Sequence, residues 1–211
     1  MHTPVLLHPR QPLRDRELAV MLHGYGSNEQ DLYALHSYLP DQLYPVALRG
    51  FLSTPFGGYG WYPLYVEPTG EIFARDADMM EAVKKLLEDL EELKKRFRYE
   101  GPLHLIGFSQ GSILAYLLMG FAPYLFQNIV AFSGYIHESV MPPLTPSDTR
   151  GLAVFASHGK YDDIIPVEWA RKIPDILRPA GVRLTYKEYE SGHYISSENL
   201  NDAVAFLEEN L

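Results

Sequence analysis

The chain has 211 residues, 46% of them hydrophobic and 21% charged, the proportions of a globular domain large enough to fold without covalent staples. It contains no cysteine, which removes disulfides, thiolate metal ligands and a thiol nucleophile together. A formal net charge of −9 argues against a nucleic-acid surface and against attraction to anionic lipid, since both need clustered Lys and Arg.

Taken in order, residues 1–10 hold only a short apolar run and no small-residue cleavage pattern, so no secretory signal is expected. No apolar stretch approaches the ~20 residues of a membrane span, and a cytoplasmic protein is the expectation. An extended segment at 5–8, broken by Pro9 and Pro12, reads as an edge strand or arm. Residues 17–22 are apolar without alternation, the pattern of a strand covered on both faces. They run into His23-Gly24-Tyr25-Gly26-Ser27-Asn28, and a helix is expected over 29–39, closed by Pro40.

A strand at 46–49 leads into a long loop, 50–68, rich in Gly and Pro and carrying Phe51, Phe56, Tyr59, Trp61, Tyr62 and Tyr65. Its length suggests function, and its aromatic content argues against disorder. Residues 74–98 show helical spacing, with Met79, Ala82, Val83, Leu86, Leu87, Leu90, Leu93 and Phe97 on one stripe. Further strands are expected at 103–106, 129–132, 152–156 and 182–189, and further helices after Ser109, at 168–178 and from about 197 to 209. Strands alternating with helices predict a single α/β domain over 1–211, with a mostly parallel sheet covered on both faces. Ligands of such sheets bind beyond the carboxyl ends of the strands, where every polar cluster of this chain falls.

Gly107-Phe108-Ser109-Gln110-Gly111 lies between the strand at 103–106 and a helix, the context of a nucleophile elbow. A serine hydroxyl is weak until a base takes its proton, and the base must be oriented by a carboxylate. Elbow folds present these in the order Ser, acid, His, which Ser109, Asp162 and His193 satisfy. Of the eight histidines, His193 alone follows the last expected strand, on a turn opened by Ser191-Gly192. His158 and His23 read as loop-shaping hydrogen-bond partners, and His104 as a satisfied residue inside a strand. Asp163 beside Asp162 leaves the acid open between the two. The oxyanion donors of such a fold are the N–H after the nucleophile, here Gln110, and one from an early strand-to-helix loop, here Tyr25. No cluster has metal-ligand spacing, and no cofactor is expected.

These residues resemble the phospholipase/carboxylesterase family of small α/β hydrolases, which includes acyl-protein thioesterases and compact bacterial carboxylesterases. The matching pieces are Leu22-His23-Gly24-Tyr25-Gly26, the elbow, Ser133-Gly134, His158-Gly159-Lys160-Tyr161-Asp162 with Ile165-Pro166, and Gly192-His193. The resemblance implies an α/β-hydrolase fold without a large lid domain. The family's acid stands four residues after the loop histidine, which selects Asp162 over Asp163. Trp61 looks like the tryptophan that helps line the family's acyl site. Lys160, Asp163 and Tyr62-Pro63 depart from the common pattern. The resulting expectation is a serine hydrolase of carboxylic esters, with a thioesterase or lysophospholipase as the alternative and a binding protein on a hydrolase scaffold as the rival from another class. Its acyl wall would come from Phe56, Tyr59 and Trp61 with Ile136, Ile164 and Tyr194. The partner expected is a small-molecule ester or thioester, with monomer and homodimer both open.

Overall fold

A computed structural model describes residues 6–9, 12–55, 57–70 and 72–211. Of the expected N-terminal arm, β1 (Leu6–Leu7) falls within them, whereas Val5 and the loop residue Phe56 lie outside. Strand β2 (Glu17–Leu22) has the expected bounds. Helix α1 (Glu29–Tyr33) opens on Asn28, whose side chain accepts the Gln30 N–H, and it tightens into a 3-10 turn over Ala34–Tyr38. The expected helix at 29–39 is therefore α-helical only in its first half. The His36 ring donates Nδ1–H to the Tyr33 carbonyl at 2.8 Å, a local bond that competes with the helical ladder.

Strand β3 (Leu43–Leu48) starts three residues before the expected 46 and contains Pro45. Among the described residues, its outer neighbour β1 pairs with Ala47 and Leu48 and not with Pro45, whose missing N–H therefore breaks no ladder bond to β1, a position where a proline is tolerated. The long loop is not structureless: β4 (Leu52–Ser53) pairs with β5 (Tyr59–Gly60) inside it, and β6 (Tyr65–Val66) pairs with β7 (Ile72–Phe73) just beyond its expected end. Helix α2 (Asp76–Phe97) buries Met79, Ala82, Val83, Leu86, Leu90 and Leu93 of the predicted stripe.

Strand β8 (Leu103–Phe108) leads through Ser109 into α3 (Gln110–Phe121), followed by β9 (Phe126–Phe132) and β10 (Ala153–Gly159). The single helix expected at 168–178 is two short ones, α4 (Val167–Ala170) and α5 (Ile173–Leu177). Pro174 causes the break, because it lacks the N–H that would bond back to Ala170 and its ring crowds that carbonyl. Strand β11 (Arg183–Tyr189) and helix α6 (Ser197–Asn210) complete the order, the Ser196 hydroxyl capping α6 by accepting the Asn199 N–H.

Seven strands form one sheet in the order β1-β3-β2-β8-β9-β10-β11. Only β1 runs antiparallel to its neighbour; the other six are parallel. Alternate residues of the central strands feed two apolar layers. Leu18, Val20, Leu22, Ile129, Ala131, Val154 and Ala156 pack with α2, α3 and α5 on one face. Ala19, Met21, Val130, Phe132, Ala153 and Phe155 pack with Leu32 of α1 and with Ala203, Phe206 and Leu207 of α6 on the other. This double burial is why the strands read as unbroken apolar runs. No helix among the described residues is long and apolar enough to cross a membrane. At the amino ends of the strands, buried His104 donates Nε2–H to Glu17 at 2.6 Å and accepts from Asn128 Nδ2 at 3.1 Å, so both of its ring nitrogens are engaged.

Candidate active site

Because six strands run the same way, their carboxyl ends meet along one rim: β2 delivers His23, β8 Ser109, β9 Ser133, β10 Asp162 and β11 His193. Ser109 occupies φ 54°, ψ −117°, a conformation that non-glycine residues adopt only when their surroundings impose it. The imposition comes from hydrogen bonds on both sides. The Ser109 N–H donates to the Phe132 carbonyl at 2.9 Å, and its carbonyl accepts from Ser112 and Ile113 N–H at 2.9 and 3.1 Å. The flanking glycines are steric necessities. A Cβ at Gly107 would stand 2.6 Å from the Gly111 carbonyl oxygen, and one at Gly111 would stand 2.0 Å from that of Leu22.

The Ser109 hydroxyl lies 2.8 Å from His193 Nε2, and His193 Nδ1 lies 2.7 Å from Asp162 Oδ2. An ionised Asp162 accepts the Nδ1 proton, which leaves the Nε2 lone pair to accept from the serine. The Asp162 side chain is fully enclosed, whereas that of His193 keeps 15% of its surface open to solvent. Burial alone would push the Asp162 carboxyl up. Hydrogen bonds from His158, His193 and the Ile165 N–H outweigh burial and hold it well below the usual carboxylate range. Oδ1 takes the N–H groups of Ile164 and Ile165 at 2.9 and 2.8 Å. His158 Nε2–H is shared between the Ile165 carbonyl at 2.8 Å and Asp162 Oδ2 at 3.2 Å. Asp163, the other acid left open by the sequence, points to solvent.

The early loop is organised around His23. Its Nδ1–H donates to the Gly24 carbonyl at 2.7 Å, and its Nε2 accepts the Gly50 N–H at 2.9 Å, so the ring is neutral with its proton on Nδ1. Tyr25, half-buried, follows at the mouth beside Ser109, whose Cβ would be 3.3 Å from a Cβ on Gly24. Of the residues expected to wall an acyl chain, Trp61 is buried, its ring 5.1 Å from that of His23 and 5.4 Å from that of Phe51. Tyr59 is half-buried under the Arg49 guanidinium. Ile136 is buried, and Ile164 and Tyr194 are exposed at the rim. Gln110 is expected from the sequence to act through its N–H. Its side chain also bonds the main chain of Trp61 and Tyr62. No local pattern signals a contact between residues 48 and 49 positions apart. Among the described residues no group of His, Asp and Glu is placed to hold a metal ion.

Acidification should destabilise the fold before any carboxylate is protonated. Burial pushes the imidazoles of both His23 and His104 below the ordinary histidine value. The unfolded chain therefore takes up more protons as pH falls through about 6.5, and stability is lost in that window. At His23 the added proton would also meet the Gly50 N–H head-on. Thermal melting between roughly pH 7.5 and 5 checks this, with a lower Tm expected on the acid side and a level Tm contradicting it.

Solved structures share the fold. The crystal structure of the Bacillus cereus carboxylesterase matches with a TM-score of 0.87 at 19% identity, over 99% of this chain and 95% of that one. The crystal structure of esterase PE8 matches with a TM-score of 0.77 at 29% identity, over 99% of both chains. The fold is that of the α/β hydrolases. More narrowly, the chain belongs to the phospholipase/carboxylesterase family, whose model matches residues 4–211, and it is a hydrolase of carboxylesterase or thioesterase type. Over 140 residues, 64% of this chain and 57% of the relative, it is 31% identical to acyl-protein thioesterase 1 of Eremothecium gossypii.

Proposed function

We propose that the chain is a single-domain, cytoplasmic serine carboxylesterase acting on small-molecule esters of short to medium acyl chain. The unbroken series Ser109–His193–Asp162, at 2.8 and 2.7 Å, carries this reading. Ser109 Oγ attacks the ester carbonyl carbon while His193 Nε2 takes its proton. The carbonyl oxygen becomes an oxyanion held by the N–H groups of Tyr25 and Gln110, and Asp162 stabilises the imidazolium. As the tetrahedral centre collapses, the carbon–oxygen bond to the alcohol breaks and His193 returns its proton to the leaving oxygen. Water then attacks the acyl-enzyme, losing a proton to His193, and the acid leaves as Ser109 is reprotonated. Ile136, Ile164, Tyr194 and the aromatic loop with Tyr59 and Trp61 supply the apolar wall for the acyl group.

A fluorophosphonate probe and a panel of nitrophenyl esters graded by acyl length test the reading together. The probe should form a phosphorus–oxygen bond at Ser109 with loss of fluoride, located by mass spectrometry of the peptide, and turnover should peak at short or medium chains. Absence of labelling with no ester hydrolysed would mean a binding protein on a hydrolase scaffold. The thioesterase reading is favoured by the stretch shared with the Eremothecium gossypii protein. Faster cleavage of a thioester than of the matching oxygen ester would select it.

A further inference from the structure

Gln110 enters the mechanism through its backbone N–H, yet its side chain is buried at 3% exposure and both of its polar atoms are engaged. Oε1 accepts the Trp61 N–H at 2.8 Å, and Nε2–H donates to the Tyr62 carbonyl at 2.9 Å. The Trp61 indole N–H then donates to the His23 carbonyl at 2.8 Å. His23 Nδ1–H in turn holds the Gly24 carbonyl at 2.7 Å. That carbonyl and the Tyr25 N–H belong to one trans peptide, in which the two groups point opposite ways, so fixing the first aims the second. A second set of contacts braces the same loop. Gly26 N–H donates to the Tyr59 carbonyl at 2.8 Å, and Tyr59 N–H donates to the Ser27 carbonyl at 2.6 Å. The Tyr25 ring lies so close to Gly60 that a Cβ there would come within 2.7 Å of it.

We propose that Gln110 is a positioning residue for the whole oxyanion hole: its main chain supplies one donor, and its side chain, through Trp61 and His23, sets the direction of the other. This rests on the serine-hydrolase reading above. Oxyanion donors act because they are already aimed where charge develops, and misplacing a reacting group by 1 Å can cost about 10²-fold in rate. A methionine of similar size would fill the space of Gln110 but leave the Trp61 N–H and Tyr62 carbonyl buried and unpaired, which frees the segment to shift.

The test compares the parent with Gln110→Met, Gln110→Glu, Trp61→Phe and the double variant Gln110→Met/Trp61→Phe. Readouts are kcat and KM on a nitrophenyl ester, and affinity for a trifluoromethyl ketone against the matching methyl ketone. The fluorinated ketone takes Ser109 Oγ into a tetrahedral adduct bearing an oxyanion; the methyl ketone stays trigonal. Gln110→Met should lower kcat and the fluorinated ketone's affinity in parallel by about 10- to 10²-fold, with KM and the methyl ketone within about 3-fold. Trp61→Phe should move the same pair of readouts. The double variant should be no worse than the worse single one, because both cut one chain of contacts. Gln110→Glu should recover relative to the parent as pH is lowered, since its protonated carboxyl can again donate to the Tyr62 carbonyl.

Losses shared equally by KM and the methyl ketone would overturn the proposal, as would effects that multiply in the double variant or a kcat within about 3-fold of the parent. If Gln110→Met fails to fold, the pH response of Gln110→Glu and the affinities of Trp61→Phe decide. Gln110 variants at the parental rate beside a dead Ser109→Ala would sink this inference alone. A parent that neither labels nor turns over would sink the reading beneath it.

Discussion

Ser109→Ala is expected to fold as the parent does and to lose about 10⁶-fold in kcat, the loss typical of removing the nucleophile from a working serine hydrolase. Folding should survive because the hydroxyl's bond is to His193, a ring open to solvent at the rim, so truncation leaves no buried polar group without a partner. The backbone demands at 109 fall on N–H and carbonyl groups that alanine also has. Activity should vanish because no other hydroxyl stands against His193 Nε2 among the bonds of the described residues. Steady-state hydrolysis of a reactive ester, with Tm as the folding control, measures both. Retention of more than about a hundredth of parental kcat at unchanged Tm would remove Ser109 from the chemistry.

Asp162→Asn should cost about 10⁴-fold in kcat while preserving the shape of the site. The reason lies in which oxygen does what. Oδ1 accepts two backbone N–H groups, from Ile164 and Ile165, so the carbonyl of an asparagine is pinned on that side. Its NH₂ must then face His193 Nδ1 and His158 Nε2, both of which donate to the carboxylate in the parent. A donor against Nδ1 drives the His193 proton to Nε2, where the ring can no longer accept from Ser109. The same position in the parent keeps its charge far into acid. Its depressed folded-state pKa means that the stability Asp162 contributes is present above the unfolded carboxylate value and drains away only as pH drops toward the folded one. The result that would count against this role is a kcat within about 10-fold of the parent.

Much of the rim was legible because its requirements are local. A glycine on each side of Ser109 is demanded by carbonyls that approach to van der Waals limits. The doubly buried strand β2 announces itself as an apolar run, and its bounds were read to the residue. The choice between Asp162 and Asp163 needed the spacing of a known family, since adjacent residues differ only in which way each side chain turns. What escaped depends on partners distant along the chain or on geometry that composition does not report. The break in the 168–178 helix was written in Pro174 but masked by the apolar spacing around it. The long aromatic loop gave no alternation from which to infer two ribbons of two residues a strand. The side chain of Gln110 looked like a helix-start residue of no special note until its two partners on the loop were in view.

The parallel sheet has a consequence for handling the molecule. The turns that enter β8, β9, β10 and β11, at 99–102, 122–125, 149–152 and 178–182, all sit at the pole away from the mouth, and none carries a residue of the proposed site. A fusion partner inserted there, or a surface attachment made there, would leave the mouth facing the medium. An immobilised catalyst prepared in that orientation would present its working side outward.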